Sequence, residues 1–340
     1  MDSVTQIALG AAVGGAVMGR RAGWRAFAIG GLVGTLPDLD SFIPMGNPVA
    51  DFTYHRGYTH ALFVQTLAAP AIAWPIQRLR RASGESYGRW LLTVWLILIT
   101  HALLDAFTIY GTQLFLPFTD YPVGLGSIFI IDPLYTLPLI VGAFAAIWLG
   151  RRGAWRSGAR WNAAGLVLSS LYLAWTAGAQ QWMELRAGEA LAAQGIPAER
   201  MLATPTPFNS LLWRVVAVGS DAHWEGFLTV GDDREPDFHR YPHDPELLSG
   251  IEDTWAVQRL QAFTKGFYAV EERGDQIVIT DLRMGQAGFY AFAFRVGKRN
   301  GVGVEPISSA RFQYPRPELG IVFSELIACG RGRPTEMIAC

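Results

Sequence analysis

Three short stretches hold most of the residues in the first half of this chain that could do chemistry. Tyr54-His55-Arg56-Gly57-Tyr58-Thr59-His60 carries two of the six histidines, an arginine and a glycine able to bend the chain. Pro37-Asp38-Leu39-Asp40 lies just before it, and His101-Ala102-Leu103-Leu104-Asp105 follows on an apolar run. Three imidazoles and several carboxylates in so apolar a setting point to a metal site. His101 and Asp105 are four apart, so on a helix they share a face. Such a pair binds one ion together, or the carboxylate orients the imidazole from behind. A histidine merely hydrogen-bonded between helices is the plainer alternative, but ionisable groups at membrane depth are costly and rare. His55 and His60 are five apart and would not align on a straight helix. Gly57 lets His55 come from a loop and His60 from a first helical turn. Arg56 at the same mouth could hold a phosphate or carboxylate bidentately; alternatively it touches lipid headgroups. Asp38 and Asp40, at a helix end, could ligate the ion or serve as a loop cap. Asp2 either joins the site or caps the first helix.

Imidazole and carboxylate ligands without cysteine suit a divalent ion, with Zn first and Mn, Fe or Ni as alternatives. The ligands suffice for one ion or more. A pair of ions would activate a water and stabilise both oxygens of a displacement. Asp105 and Arg56 are then the catalytic candidates, and Asp2, Asp38, Asp40, His55, His60, His101 and Asp105 the metal candidates. A phosphoester or acyl substrate fits, a lipid among them. No serine-nucleophile motif, P-loop or dinucleotide fingerprint is present.

These residues need an apolar frame, and the composition supplies one. Of 340 residues, 51% are hydrophobic and 17% charged, against about 25% charged in ordinary soluble proteins. The net charge of −1 gives no case for nucleic-acid binding. Residues 1–180 contain no lysine, twelve arginines and eight acids; the other 21 acids lie in 181–340. The expected organisation is an all-α polytopic membrane bundle over 1–180 and a soluble α+β domain over 181–340.

The apolar segments fall at 4–19, 26–36, 59–77, 89–107, 128–149 and 161–179. Gly15 and Gly19 fit the small-residue spacing of closely packed membrane helices. The first stretch reads as a helix rather than a cleavable signal. Basic loops at 20–25, 78–89 and 151–160, including Arg80 and Arg81, hold eleven of the twelve arginines. Placing them in the cytoplasm puts Asp2, Asp38, Asp40, Asp51, His55, His60, Asp120 and Asp132 outside, with His101 and Asp105 near the outer end of their helix. The topology thus gathers every candidate ligand at one face.

Beyond Gln180 an amphipathic helix over 181–200 leads to a Pro-marked linker. Strand-like runs follow at 213–218, 224–230, 266–271, 276–280 and 288–296, with a helix near 253–263. His223, His239 and His243 read as solvated loop residues, since Pro242 argues against a helix aligning the last two. Cys329 and Cys340 either pair, in an oxidising compartment, or remain free thiols.

Several motifs in one order resemble the YdjM-like (LexA-regulated) family of membrane-bound metal-dependent hydrolases. They are Met1-Asp2-Ser3-Val4-Thr5-Gln6, Gly34-Thr35-Leu36-Pro37-Asp38-Leu39-Asp40, His55-Arg56-Gly57-Tyr58-Thr59-His60, His101-x3-Asp105, Thr108-Ile109-Tyr110-Gly111-Thr112-Gln113 and Ile131-Asp132-Pro133-Leu134-Tyr135. The resemblance covers about the first 180 residues. Some members of the family carry His where Gln6 stands. The resemblance implies phosphoester hydrolysis. The apolar segments and basic loops give the expectation of a multi-pass protein of the bacterial cytoplasmic membrane, with about four to six membrane segments and with the metal site and C-terminal domain facing outward. Two rivals remain: a non-catalytic metal-binding structural, sensor or transport protein, and a bundle that only anchors a soluble domain for an envelope partner. A transporter would be expected to place its ligands near the bilayer midplane.

Overall fold

The computed structural model describes all residues except 80–83, 302, 316, 332, 334 and 336–340, and the backbone alone of residue 319. Arg80, Arg81 and Cys340 therefore lie outside the described residues. The chain divides into two compact units. The first comprises Met1–Ile43, Arg56–Ala177 and Pro207–Asn209; the second comprises Pro44–His55, Gly178–Thr206 and Ser210–Cys340.

In the first unit, α1 (Ser3–Ala22) and α2 (Trp24–Gly34) form a hairpin. Asp2 caps α1 by accepting from Val4 N and Thr5 N, and Gly23 turns the chain at φ +64°. Glycines let the two helices meet backbone to backbone. A Cβ on Gly30 would lie 2.2 Å from the Gly10 carbonyl oxygen, and one on Gly34 would lie 2.7 Å from that of Gln6. After α2 a 3-10 turn spans Pro37–Phe42. A second 3-10 turn, Tyr58–His60, leads into α4 (Leu62–Leu79), which contains Pro70 and Pro75.

Helix α5 (Tyr87–Phe107) buries Trp90, Val94, Ile97, Leu98, His101, Leu104 and Asp105. That face follows the helical period. Helices α6 (Pro133–Arg151) and α7 (Trp155–Ala193) complete the set. Gly142 and Gly165 let α6 and α7 approach closely, a Cβ on Gly165 falling 2.3 Å from the Pro138 carbonyl oxygen.

Among the described residues, α5 and α6 are long and apolar enough to cross a bilayer. That is narrower than the four to six segments expected from the sequence. The segment expected at 161–179 and residues 181–193 of the one expected at 181–200 are one continuous helix, α7, of 39 residues.

The second unit begins with α3 (Pro48–Tyr54), although Pro44, Gly46, Asn47 and Pro48 mark residues 41–54 as a loop in the sequence. Asn47 caps it, and Pro48 at the first turn needs no hydrogen bond from its nitrogen. Phe52 is buried edge-on against Phe263 of α8 (Trp255–Thr264), with ring centroids 5.0 Å apart, and stacks on Phe292 at 4.5 Å.

Two four-stranded antiparallel sheets follow, each in sequence order. The first holds β1 (Arg200–Pro205), β2 (Leu212–Val218), β3 (Ala222–Thr229) and β4 (His239–Pro242). The second holds β5 (Tyr268–Arg273), β6 (Gln276–Asp281), β7 (Ala293–Arg299) and β8 (Val304–Phe312). A last helix, α9, covers Leu319–Gly330, and Cys329 within it is disulfide-bonded. The end of α7 packs Ala179, Met183, Ala187 and Leu191 onto Trp213, Val215, Ala217 and Trp224.

The segment expected as a linker at 204–207 begins inside β1, whose Thr204 and Pro205 pair with Arg214 and Trp213. His223 and His243 are not solvated loop residues: both are buried, and His223 lies in β3. His223 Nε2 is 2.9 Å from Tyr290 Oη, which donates to Glu225; Arg214 holds the same carboxylate by two bonds. Burial alone would weaken this ion pair, so the tyrosine and the Ala287 N–H complete the shell of the carboxylate.

Candidate metal centre

Four side chains of the first unit converge: Asp38, His60, His101 and Asp105 each offer a ligand atom within 4.8 Å of the others. They come from three pieces of local structure. Asp38 stands on the first 3-10 turn, His60 ends the second, and His101 and Asp105 share the buried face of α5. His60 Nε2 lies 3.1 Å from His101 Nε2, 3.1 Å from Asp105 Oδ2 and 3.5 Å from Asp38 Oδ1. His101 Nε2 lies 3.6 Å from both carboxylates. Four ligands bonded tetrahedrally at about 2.0–2.2 Å would stand about 3.3–3.6 Å apart. Three of the five separations fall in that range and the two at 3.1 Å lie just below it, a spacing close to that of one tetrahedron around a single ion.

The protonation pattern also fits a cation. His101 Nδ1 is 2.8 Å from the Gly34 carbonyl oxygen. A carbonyl only accepts, so Nδ1 carries the hydrogen and Nε2 turns its lone pair inward. Thr59 donates its one hydroxyl hydrogen to Asp40 Oδ2 at 2.6 Å, so its oxygen accepts from His60 Nδ1, 2.9 Å away. In its neutral form His60 then presents an Nε2 lone pair as well. With both rings neutral, two lone pairs face each other 3.1 Å apart beside Asp105 Oδ2, which is buried without a hydrogen-bond partner. A positive charge between them, either a proton shared by the two rings or a bound cation, makes that arrangement favourable. Burial works against the Asp38 carboxylate, but the imidazoles of His101 and His60 outweigh it and hold its pKa well below the usual carboxylate range.

The surroundings fix three of the four groups from behind. Asp105 Oδ1 accepts from Gln6 Nε2 at 2.9 Å and from the Met1 nitrogen, and Arg56 Nε stands 3.4 Å from Oδ2. Arg56 also donates to Thr108 Oγ1 at 3.0 Å and lies over the Tyr110 ring.

The remaining sequence candidates lie outside the group of four. Asp40 is displaced by geometry: residues two apart on a 3-10 turn point in different directions. Its Oδ2 accepts from Arg56 N at 3.0 Å and from Thr59, so it supports His60 from behind. Asp2 spends its carboxylate on the N-terminus of α1 and on Thr5 Oγ1. His55 caps the C-terminal end of α3 and belongs to the second unit.

The bend expected at Gly57 falls one residue earlier, where Arg56 adopts φ +60°. A non-glycine residue there persists only when its surroundings over-determine it. Asp40 on the Arg56 nitrogen, the Gln113 N–H on its carbonyl and Thr108 on its guanidinium do so. Residue spacing gave no sign of the supporting roles of Gln6 and Thr59; the family motifs that contain them are their only signal in the sequence.

Residues 1–183 match the family model described as YdjM inner membrane protein. Among curated proteins, the uncharacterised protein YfhP of Bacillus subtilis (strain 168) is 30% identical over 183 residues, covering 51% of each chain. The present chain thus spans about half the length of that relative. No solved structure matches. With more than half of its length matched and the His/Asp centre inside the matched segment, the chain belongs to the YdjM inner membrane protein family.

Proposed function

We propose that this protein is a membrane-bound, metal-dependent hydrolase of a phosphoester. The observation that carries the proposal is the convergence of two imidazole lone pairs and two carboxylates on one ion-sized point. Asp38, His60, His101 and Asp105 would hold a divalent ion, Zn first, with Mn, Fe or Ni as alternatives. Once bound, the ion would acidify a water and stabilise developing negative charge on the ester. Arg56 balances the charge of Asp105 and keeps guanidinium N–H groups beyond those two contacts. We assign those groups to an anionic phosphoester oxygen.

A lipid headgroup suits the rim. Phe42 shares the turn of Asp38 and is 82% exposed; Tyr58 shares the turn of His60; Phe118, 77% exposed, lies against Phe63 near the start of α4. Tyrosine collects at the membrane interface, and exposed Phe42 and Phe118 offer apolar surface to lipid. We further propose several membrane crossings, with the centre and the second unit on the extracytoplasmic side. Disulfide-bonded Cys329 supports an oxidising compartment for the second unit.

One observation favours the rival, a non-catalytic structural or sensor ion: four protein ligands fill a tetrahedron, as closed structural sites do. Metal analysis of the purified full chain beside His101→Ala and His60→Ala, with a phosphodiesterase assay on the same samples, separates the two. Metal in the wild type, its loss in both variants and hydrolysis by the wild type alone are expected. Equally little metal in all three would sink the centre. Metal without hydrolysis would favour the rival.

A further inference from the structure

The four ligands are not held alike. His60 is tied through Nδ1 to Thr59, and Thr59 to Asp40. His101 is tied through Nδ1 to the Gly34 carbonyl. Asp105 is held by Gln6, the Met1 nitrogen and Arg56. All three side chains are sealed from solvent, at 0%, 1% and 0% exposure. Asp38 differs on each count. Its side chain is 21% exposed, and its carboxylate meets only the two imidazoles that would share the ion. Ser41 Oγ donates to the main-chain carbonyl of this residue, not to its carboxylate. Among the described residues nothing holds the Asp38 carboxylate from behind.

From this asymmetry we propose that Asp38 is the displaceable ligand of the centre. It completes a closed tetrahedron at rest and swings away when an anionic oxygen arrives. No covalent bond is made or broken: one carboxylate oxygen leaves the ion as one oxygen of the incoming anion takes its place. The turn of Asp38 is short, and of the four ligands only its side chain is not sealed by protein, so a carboxylate released there can regain water. The same motion by His60, His101 or Asp105 would strip a buried group of its partners, a penalty Asp38 does not meet. The inference rests on the metal-centre reading, and it removes the objection that a four-ligand site has no room for substrate. Catalytic zinc sites keep three protein ligands and an open position; here Asp38 would open the position on demand.

The test uses the purified full chain loaded with Co(II), whose visible band reports coordination, with inorganic phosphate as the probe. Asp38→Ala should retain Co(II) within about tenfold of the wild-type affinity, whereas Asp105→Ala should lose about 100-fold or more. Phosphate should alter the band of both wild type and Asp38→Ala, and bind the variant at least tenfold more tightly, since it no longer competes with a carboxylate. A wild-type band unmoved by saturating phosphate would overturn the proposal, because Asp38 would then be a permanent ligand. Equal phosphate affinity in wild type and variant would overturn it as well, as would loss of Co(II) from Asp38→Ala as complete as from His101→Ala. A phosphate response without any hydrolysis would remove the hydrolase function and leave Asp38 as a displaceable ligand. Failure of the wild type to bind Co(II) would remove both.

Discussion

Replacing Gly30 by alanine tests how far the helix hairpin controls the centre. The added Cβ would lie 2.2 Å from the Gly10 carbonyl oxygen, 2.9 Å from its carbon and 3.2 Å from Ala11 Cα. Ordinary contact begins at 3.4 Å, and every opposing atom is backbone, so no side chain can turn aside. The helices must part by about 1.2 Å, the difference between those two distances. Overpacking of this kind costs about 1–3 kcal/mol; the better helix propensity of alanine offsets up to about 1 kcal/mol. The strain does not stay local. Gly34, one turn on, holds His101 Nδ1 at 2.8 Å, and Gln6, facing Gly34 across the hairpin, holds Asp105 at 2.9 Å. A shift of that size breaks or bends one of these bonds, and loss of such support typically weakens metal affinity about 10–100-fold. Thermal unfolding of the detergent-solubilised protein and a competitive Zn titration read the two effects. Gly178→Ala, at a helical glycine with nothing within 4 Å, is the control and should match or exceed wild-type stability. If Gly30→Ala melts with the wild type and binds Zn within about threefold of it, the coupling of hairpin to centre is wrong.

Two further outcomes follow from the same contacts. Gln6→Leu removes the amide that orients Asp105, so Zn affinity should fall about 10–100-fold; unchanged affinity in a chelator competition would place Gln6 outside the centre. In the second unit, burial pushes the His223 imidazole down to about 4, against about 6.5 in the unfolded chain. The folded state therefore binds fewer protons between those values, and stability held above pH ~6.5 is lost as pH falls through about 4. The ceiling is about 3 kcal/mol. Unfolding midpoints of the wild type at pH 7, 5.5 and 4 should fall more steeply than those of His223→Gln. Parallel slopes would show that His223 is not the titrating group.

Much of the candidate site is legible in the sequence because its signals are local. His101 and Asp105 share a helical face by spacing alone, and an ionisable pair inside an apolar run has few inexpensive explanations. The strands at 213–218, 224–230 and 276–280 announce themselves by β-branched and aromatic content, and the structure keeps each within two residues. The failures occur where a long-range partner decides. Pro48–Tyr54 looks like a loop because Pro44, Gly46 and Pro48 punctuate it, yet Phe52 finds Phe263 and Phe292 more than 200 residues away in the chain. His223 looks solvated among acids until its strand register sets it beside Glu225, Tyr290 and Arg214.

The sequence by itself determined the inventory: three imidazoles and four carboxylates suited to a divalent ion, an apolar helical first half and a strand-rich second half. The choice among seven candidate ligands was tertiary. Asp38 and Asp40 are the same residue type two positions apart, and only the 3-10 turn separates a ligand from a support. His55 and His60 belong to one motif, yet Arg56 at φ +60° divides the helix that carries His55 from the turn that aims His60 at His101. Composition states which groups are available. Which lone pairs face the same point, and which groups are tied from behind, depends on elements that meet only when the helices pack.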